Sequence, residues 1–286
     1  MHEQADIRDS NLLRDQDFRA IADIVYRHAG ISLGEKKKNL VVSRLRKRLH
    51  QLGIGTFAEY VNHLNSRRTN PGEMTELINA ITTNTTHFFR EPHHFEFLEH
   101  FLQKWIFSPE AARRKKFRIW CAASSTGQEP YSIAITLSRI FSGRTDWDVK
   151  LLASDIDTNA LSAASKGEYN RNEMETVSDA DRHRYFNVSQ ATGQFKIKPG
   201  IRKLVVFRKI NLIYDALEFH EPIDVIFCRN VMIYFSSENR SNLLAKLHRA
   251  LANDGLLILG HSESIQLTDR NFTYVDTTIY RKRSVL

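Results

Sequence analysis

The apolar residues of this chain change their period near residue 90. Before it they recur every three or four positions: Phe18, Ile21, Ala22, Ile24 and Val25, then Val41, Val42, Leu45, Leu49 and Leu52, then Phe57, Tyr60, Val61 and Leu64, then Met74, Leu77, Ile78 and Ile81. Each set falls on one face of a helix, and no strand pattern competes with it. SRRTNPG, Ser66 to Gly72, is loop chemistry. After residue 115 short apolar runs alternate with helical stretches. FRIWCAAS, VKLLASDID, LVVF at 204–207, IDVIFC, DGLLILG and the closing FTYVDTTIYRKR read as strands. Helices are predicted over Pro130 to Ile140, from Thr158 onward, and over Glu238 to Leu251. Strands alternating with helices predict an α/β fold with a mostly parallel sheet and helices on both faces. The last strand follows its predecessor without a crossover helix, which predicts an antiparallel edge. The polar tract between Lys166 and Arg202 breaks the alternation; its RYFNV and QFKIK segments predict a small antiparallel β insertion at about 167–203. The expected organisation is a helical N-terminal domain over residues 1–85 and an α/β domain over 86–286.

Composition narrows the setting. The 286 residues suffice for one large or two ordinary domains. No apolar run is long enough for a membrane-spanning helix, and the polar start MHEQADIRDSN lacks a signal-peptide pattern. Two cysteines, Cys121 and Cys228, cannot make a disulfide framework and read as small buried hydrophobes. A reducing, cytoplasmic location is expected. The net charge of +8 favours an anionic partner without choosing among nucleic acid, membrane surface and acidic protein.

Polar groups interrupt the apolar pattern where predicted strands end, the place where open α/β sheets bind ligands. WCAASSTGQEP leaves the first strand and opens a helix through a run of small residues, which lets backbone approach a ligand. It is not GxGxxG, so dinucleotide binding is unsupported. Glu129 at that helix start would repel a phosphate and suits a cationic ligand; it equally suits the helix dipole. Asp155 ends the second strand, where a carboxylate accepts bonds from ribose hydroxyls, while Asp157 reads as a helix N-cap. In IFCRNVMIYF the run stops at Arg229 and Asn230. TTNTTHFFREPHHF, at the domain boundary, sets Asn84, Thr86 and Arg90 among aromatics. His87, His93 and His94 match no common metal spacing, and no metal site is expected.

KKKNLVVSRLRKRLH, Lys36 to His50, puts Lys36, Lys37, Arg44, Lys47 and Arg48 opposite the apolar face of its helix. Solvation alone does not need so many cations with so few neighbouring acids, and an acidic helix or a phosphate backbone is the fitting target.

A small-residue loop after the first strand, an acid after the second and a polar pair after the fourth are the layout of a Rossmann-like methyltransferase that holds S-adenosylmethionine. TTNTTHFFRE, AASSTGQEPYSIAI, ASDID, Asn211-Leu212, FCRNVMIYF and GHSES, in that order, resemble the chemotaxis receptor methyltransferase family, CheR, over roughly residues 15 to 282. The resemblance implies a cytoplasmic enzyme that methylates glutamate side chains on the cytoplasmic helices of membrane chemoreceptors, giving γ-glutamyl methyl esters and S-adenosylhomocysteine. It implies cofactor contacts at Asn84, Thr86, Arg90, Glu129, Asp155, Asn211, Leu212, Arg229 and Asn230. It also implies receptor contacts by the helical domain and the insertion, with Lys37, Arg44, Lys47 and Arg48 as the candidates.

A glutamate carboxylate, with a reference pKa of about 4.3, is ionised at neutral pH and needs no general base. Catalysis then rests on alignment. Arg90 and Tyr234 are the candidates for orienting the carboxylate; Arg90 alternatively serves the cofactor's carboxylate, and Tyr234 alternatively packs in the pocket wall. A nucleic-acid methyltransferase would share fold and charge, but amine-methylating members carry adjacent prolines after the fourth strand, and no two of the six prolines here are adjacent. A non-catalytic sensor of the cofactor or its product is the other alternative. No nucleic-acid partner, no membrane insertion and a monomer are expected.

Overall fold

The structure is a computed structural model, which describes residues 13–66, 71–265 and 270–283. The polar N-terminal stretch and Arg67 to Asn70 of the expected loop lie outside the described residues. The chain divides into two compact units: Met1–Thr83 with Tyr234–Arg240, and Asn84–Ile233 with Ser241–Leu286.

The first unit holds α1 (Asp15–Ala29), α2 (Lys38–Leu52), α3 (Phe57–Asn65) and α4 (Pro71–Ile81). The three-to-four spacing of the sequence becomes the buried faces Phe18/Ile21/Val25, Val41/Leu45/Leu49 and Phe57/Tyr60/Leu64. Glycines stop α1 and α2: Gly30 and Gly53 take φ of 70° and 66°, a left-handed turn that other side chains resist. Thr56 and Glu59 form a reciprocal capping box at the start of α3. The Tyr234–Arg240 segment is woven into this unit: Ile31 bridges Phe235, Ser32 N donates to Tyr234 O at 2.8 Å, and Asn239 Nδ2 donates to Gly30 O at 3.2 Å. Lys36 and Lys37 fall in a 3-10 turn before α2, so the expected helical register of the cations holds only from Arg44 onward.

The second unit opens with α5 (His93–Trp105) and α6 (Pro109–Arg114). β1 (Lys116–Cys121), α7 (Gln128–Phe141), β2 (Asp148–Asp155) and α8 (Thr158–Lys166) follow. After the insertion come β6 (Val205–Lys209), β7 (Ile223–Cys228), α11 (Ser237–Ala250, its first turn in the other unit), β8 (Leu251–Leu259), β9 (Phe272–Asp276) and β10 (Ile279–Lys282). The sheet order is β6-β2-β1-β7-β8-β10-β9. β6 through β8 are parallel; β10 runs antiparallel to β8, and β9 to β10. The predicted parallel sheet with an antiparallel edge is therefore present. The closing segment, read as one strand, is a hairpin that turns at Thr277 and Thr278, the latter at φ 54°. Its alternation runs through the turn without a glycine, so periodicity hides it. The core packs Phe117, Ile119, Val225, Phe227 and Ile258 of the sheet against Ile133 and Leu137 of α7 and Leu98 and Leu102 of α5, a helix for which the sequence reading had no element.

The insertion forms its own antiparallel sheet, β3-β5-β4, from β3 (Glu168–Tyr169), β4 (Phe186–Val188) and β5 (Phe195–Ile197). It also carries the short helices α9 (Asp179–Tyr185) and α10 (Pro199–Arg202). Tyr185, expected in a strand, ends α9 instead. Among the described residues no helix is long and apolar enough to cross a membrane.

Candidate functional site

Sheet order reverses between β1 and β7: the chain proceeds from β1 outward to β2 and β6, then returns to the other side of β1 as β7. In open α/β sheets the crevice outside the carboxyl ends of the strands at such a switch point is where ligands bind. The sequence-picked polar residues of this unit lie on the loops after these strands and on the segment before α5.

The loop after β1 is tightly built. Ser124 N donates to Ser154 O at 2.9 Å, and Ser125 N donates to Asp155 Oδ2 at 2.8 Å. Gly127 has φ 101°, and a Cβ there would stand 2.6 Å from Tyr169 Oη and 3.0 Å from the Ala164 Cα. The small residue at this position serves close packing on α8 and β3, not only access for a ligand. Asp155 also accepts from Asp157 N at 2.9 Å. Burial pushes its carboxyl up, against the pull of these N–H groups. Asp157 caps α8 by accepting from Asn159 N and Ala160 N at 2.9 and 3.0 Å. Its other oxygen accepts from Asn84 Nδ2 at 2.7 Å, and Ser125 Oγ donates to Asn84 Oδ1 at 3.1 Å. Asn84 and Asp155, distant in sequence, thus share one network. Ile210 N donates to Asp155 O at 3.1 Å, which brings Asn211 and buried Leu212 to the same end of the sheet. The Asn211 side-chain oxygen accepts from Ile213 N and Tyr214 N at 3.0 and 3.2 Å and shapes its own loop. Thr86 is half-buried on the segment leading to Arg90.

After β7, Asn230 takes φ 57° and is held by Glu263. Glu263 Oε2 accepts from Asn230 N at 2.7 Å and Gly260 N at 2.8 Å, and Oε1 accepts from Met232 N at 2.7 Å. Burial raises this carboxyl's pKa although the N–H groups oppose it. Gly260 must be glycine, since a Cβ would lie 2.8 Å from Asn230 N. Sequence reasoning missed Glu263 as an individual residue; the available signal was an acid three positions after the glycine that ends DGLLILG.

Arg229 is sealed, with its side chain 0% exposed. Its Nη1 lies 2.6 Å from Glu129 Oε2; its Nη2 lies 3.1 Å from Glu91 Oε2 and donates to Arg90 O at 2.5 Å. Cys121 Sγ donates to the second Glu129 oxygen at 3.3 Å. Burial works against the guanidinium's charge, but Glu129 and Glu91 outweigh it and raise its pKa. The two residues read separately as ligand groups are here partners of each other, and Glu91, which the sequence did not single out, is the third member. Arg90 keeps a half-buried side chain, with Nη1 donating to Thr85 O at 2.9 Å. Tyr234 belongs to the helical unit, where Lys37 Nζ stands 4.7 Å from its ring centroid.

The receptor candidates divide as well. Arg44 donates to Ile81 O, Thr82 O and Thr83 Oγ1 at 2.5, 2.5 and 3.0 Å, satisfying carbonyls at the end of α4. Arg48 pairs with buried Glu73, which also accepts from Tyr60 Oη at 2.8 Å. The expectation of few neighbouring acids fails at Arg48, because its acid sits on another helix. Lys47 is exposed. Burial, with Arg44 nearby, lowers the Lys37 pKa.

His94 tests how strongly this interior excludes charge. Its ring is buried and its Nε2 faces Thr278 Oγ1 at 2.8 Å. Burial first, then Arg229 and His93, hold its pKa down at about 3. The unfolded chain binds a proton at about pH 6.5, which the folded chain refuses, so the stability this group contributes is intact above 6.5 and falls as pH drops toward 3. The loss between pH 7 and 5 is about 2 kcal/mol. Asp155, Asp224 and Glu263, raised by burial, act in the opposite sense. The His94→Gln variant is therefore the reference: in denaturant titrations at pH 5, 6 and 7 the parent's stability should fall by about 2 kcal/mol more than the variant's. Parallel curves would refute it.

Family models complete the picture. One described as CheR methyltransferase, SAM binding domain, matches residues 84–281; another, CheR methyltransferase, all-alpha domain, matches residues 16–82. The chain belongs to the CheR methyltransferase family. Similar relatives include chemotaxis protein methyltransferase 2 of Pseudomonas aeruginosa, 41% identical over 93% of this chain and 92% of that protein. The chemotaxis protein methyltransferase of Salmonella typhimurium is 39% identical over 94% and 90% respectively. That of Escherichia coli is 39% identical over 94% and 91%. The donor set of this CheR family member fits S-adenosylmethionine. Near the carboxyl ends of the strands the carboxylates Glu91, Glu129, Asp155 and Asp157 outnumber the guanidiniums of Arg90 and Arg229, which suits a ligand with a sulfonium and an ammonium.

Proposed function

We propose that this chain transfers a methyl group from S-adenosylmethionine to glutamate side chains on the cytoplasmic helices of chemoreceptors, acting in the cytoplasm as a monomer and forming γ-glutamyl methyl esters. The observation that carries the reading is the acid-rich crevice at the β1/β7 switch in a chain that aligns with chemotaxis methyltransferases over nine-tenths of its length. When bound, the cofactor supplies a methyl group on a positively charged sulfur. Asp155 would hold the ribose hydroxyls with its remaining lone pairs, and Glu129 would set a negative charge toward the cationic end. Arg90 orients a carboxylate in the crevice. The acceptor glutamate is ionised at neutral pH, so its oxygen would take the methyl carbon as the methyl–sulfur bond breaks and the electron pair stays on sulfur, with no proton to move and no general base required. Tyr234 follows Ile233 directly and is the second candidate for handling the acceptor. Lys47 offers an exposed cation to an acidic receptor helix, which speeds encounter.

Receptor-containing membranes incubated with methyl-labelled S-adenosylmethionine should acquire label that mild base releases as methanol. Base-stable label, or label on RNA rather than on the membrane protein, would overturn the reading.

A further inference from the structure

Arg90 stands in a turn whose backbone is held against its own preference. Phe89 and Glu91, on either side, have φ of 51° and 58°, a region that side chains other than glycine rarely enter. Such geometry persists only where the surroundings over-determine it. Before Arg90 the turn is tied by Phe89 N donating to Ser132 Oγ at 2.9 Å and by Thr176 Oγ1 donating to Phe88 O at 2.7 Å. At and after Arg90 the ties run through Arg229 and Glu91. Arg229 Nη2 donates to the carbonyl of Arg90 itself at 2.5 Å and lies 3.1 Å from Glu91 Oε2, which also accepts from His261 N at 3.1 Å. Arg229 is in turn anchored on Glu129 at 2.6 Å. A strut therefore runs from the base of α7 to the main chain of Arg90, with Glu91 as its brace to the loop after β8.

We infer that Glu91 and Arg229 are positioning residues: their ion pair locks the strained turn and thereby fixes where the Arg90 guanidinium stands. This rests on the reading of Arg90 as the group that orients a carboxylate. Arg229, sealed from solvent, acts on Arg90 through its main-chain carbonyl.

A double-mutant cycle on the full-length protein tests the lock. Glu91→Gln keeps the shape and removes the charge. It should lower kcat for receptor methylation by about 10- to 100-fold, the scale of a slightly misplaced orienting group, with the affinity for S-adenosylmethionine held within about twofold in calorimetry and the circular dichroism spectrum preserved. In an Arg90→Ala background the same substitution should change kcat by less than about twofold, because the group it positions is gone. Equal losses in both backgrounds, or a parent rate for Glu91→Gln alone, would overturn the lock and leave Arg90's role standing. A parent rate for Arg90→Ala would overturn that role, and the lock with it. If Glu91→Gln does not fold, Glu91→Asp, which keeps the charge and shortens the reach, replaces it under the same criteria.

Discussion

Replacing Arg229 with leucine should destabilise the protein by about 3–5 kcal/mol, the scale of removing one member of a buried ion pair. The guanidinium has no exposed surface, and its partners Glu129 and Glu91 keep only 9% and 13% of theirs. Leucine would leave two carboxylates facing each other across an apolar side chain, with the Cys121 thiol as a weak donor to one of them. Glu91, whose carboxyl Arg229 holds down against burial, would titrate higher once that cation is gone. A raised folded pKa contributes stability that is full below the unfolded value and is lost as pH rises, so the variant's deficit should grow from pH 4 to pH 8. Chemical denaturation across that range measures it. Adding Glu129→Gln and Glu91→Gln should return much of the loss, since amides stay neutral. A deficit below about 1 kcal/mol, or one that shrinks with rising pH, would contradict the buried triad.

The second large effect is in the helical unit. Arg48→Glu places a carboxylate beside Glu73, which is 3% exposed and whose other partner is the fully buried Tyr60. Burial and Glu73 together raise the Tyr60 phenol pKa, so the phenol remains a donor and cannot absorb a second negative charge. A cost of at least 3–5 kcal/mol is expected, enough to unfold a unit of this size. Lys47→Glu, one position earlier and exposed, should change stability by no more than about 0.5 kcal/mol. It should slow receptor methylation most at low ionic strength, where surface charge is least screened. Thermal unfolding together with methylation rates at two salt concentrations separates the pair. If Arg48→Glu unfolds like the parent, the Glu73 pairing does not hold the unit together. If Lys47→Glu methylates at the parent rate in low salt, this surface does not meet the receptor.

Those two arginines show where a single sequence stops being informative. Periodicity located α1 to α4 and the parallel strands because burial of one helical face, or of both strand faces, imposes a local pattern. Strand ends followed by polar residues marked Glu129, Asp155 and Arg229 for the same reason. Partners are not local. Arg48 meets its acid on α4, and Arg229 meets Glu91 from across the fold, so a cation read as free proved to be paired and two ligand candidates proved to be each other's counter-ions. Glu263 and Asn211 act mainly on backbone N–H groups, which leave no trace in residue identity. The closing hairpin was missed because alternation continues through a turn without glycine or proline.

The stretch from Tyr234 to Arg240 carries a consequence for how this architecture can be dissected or inherited. The chain passes from the helical unit to the sheet-bearing one, returns for seven residues, and leaves again. No single cut separates two self-sufficient halves. A fragment starting at Asn84 would retain Phe235 and Asn239 without Ile31 and Gly30, baring a phenyl ring and an unmatched amide in mid-sequence. Domain shuffling, which moves contiguous pieces of coding sequence, would leave one of the pieces behind. The helical unit is thereby bound to descend with the sheet it precedes.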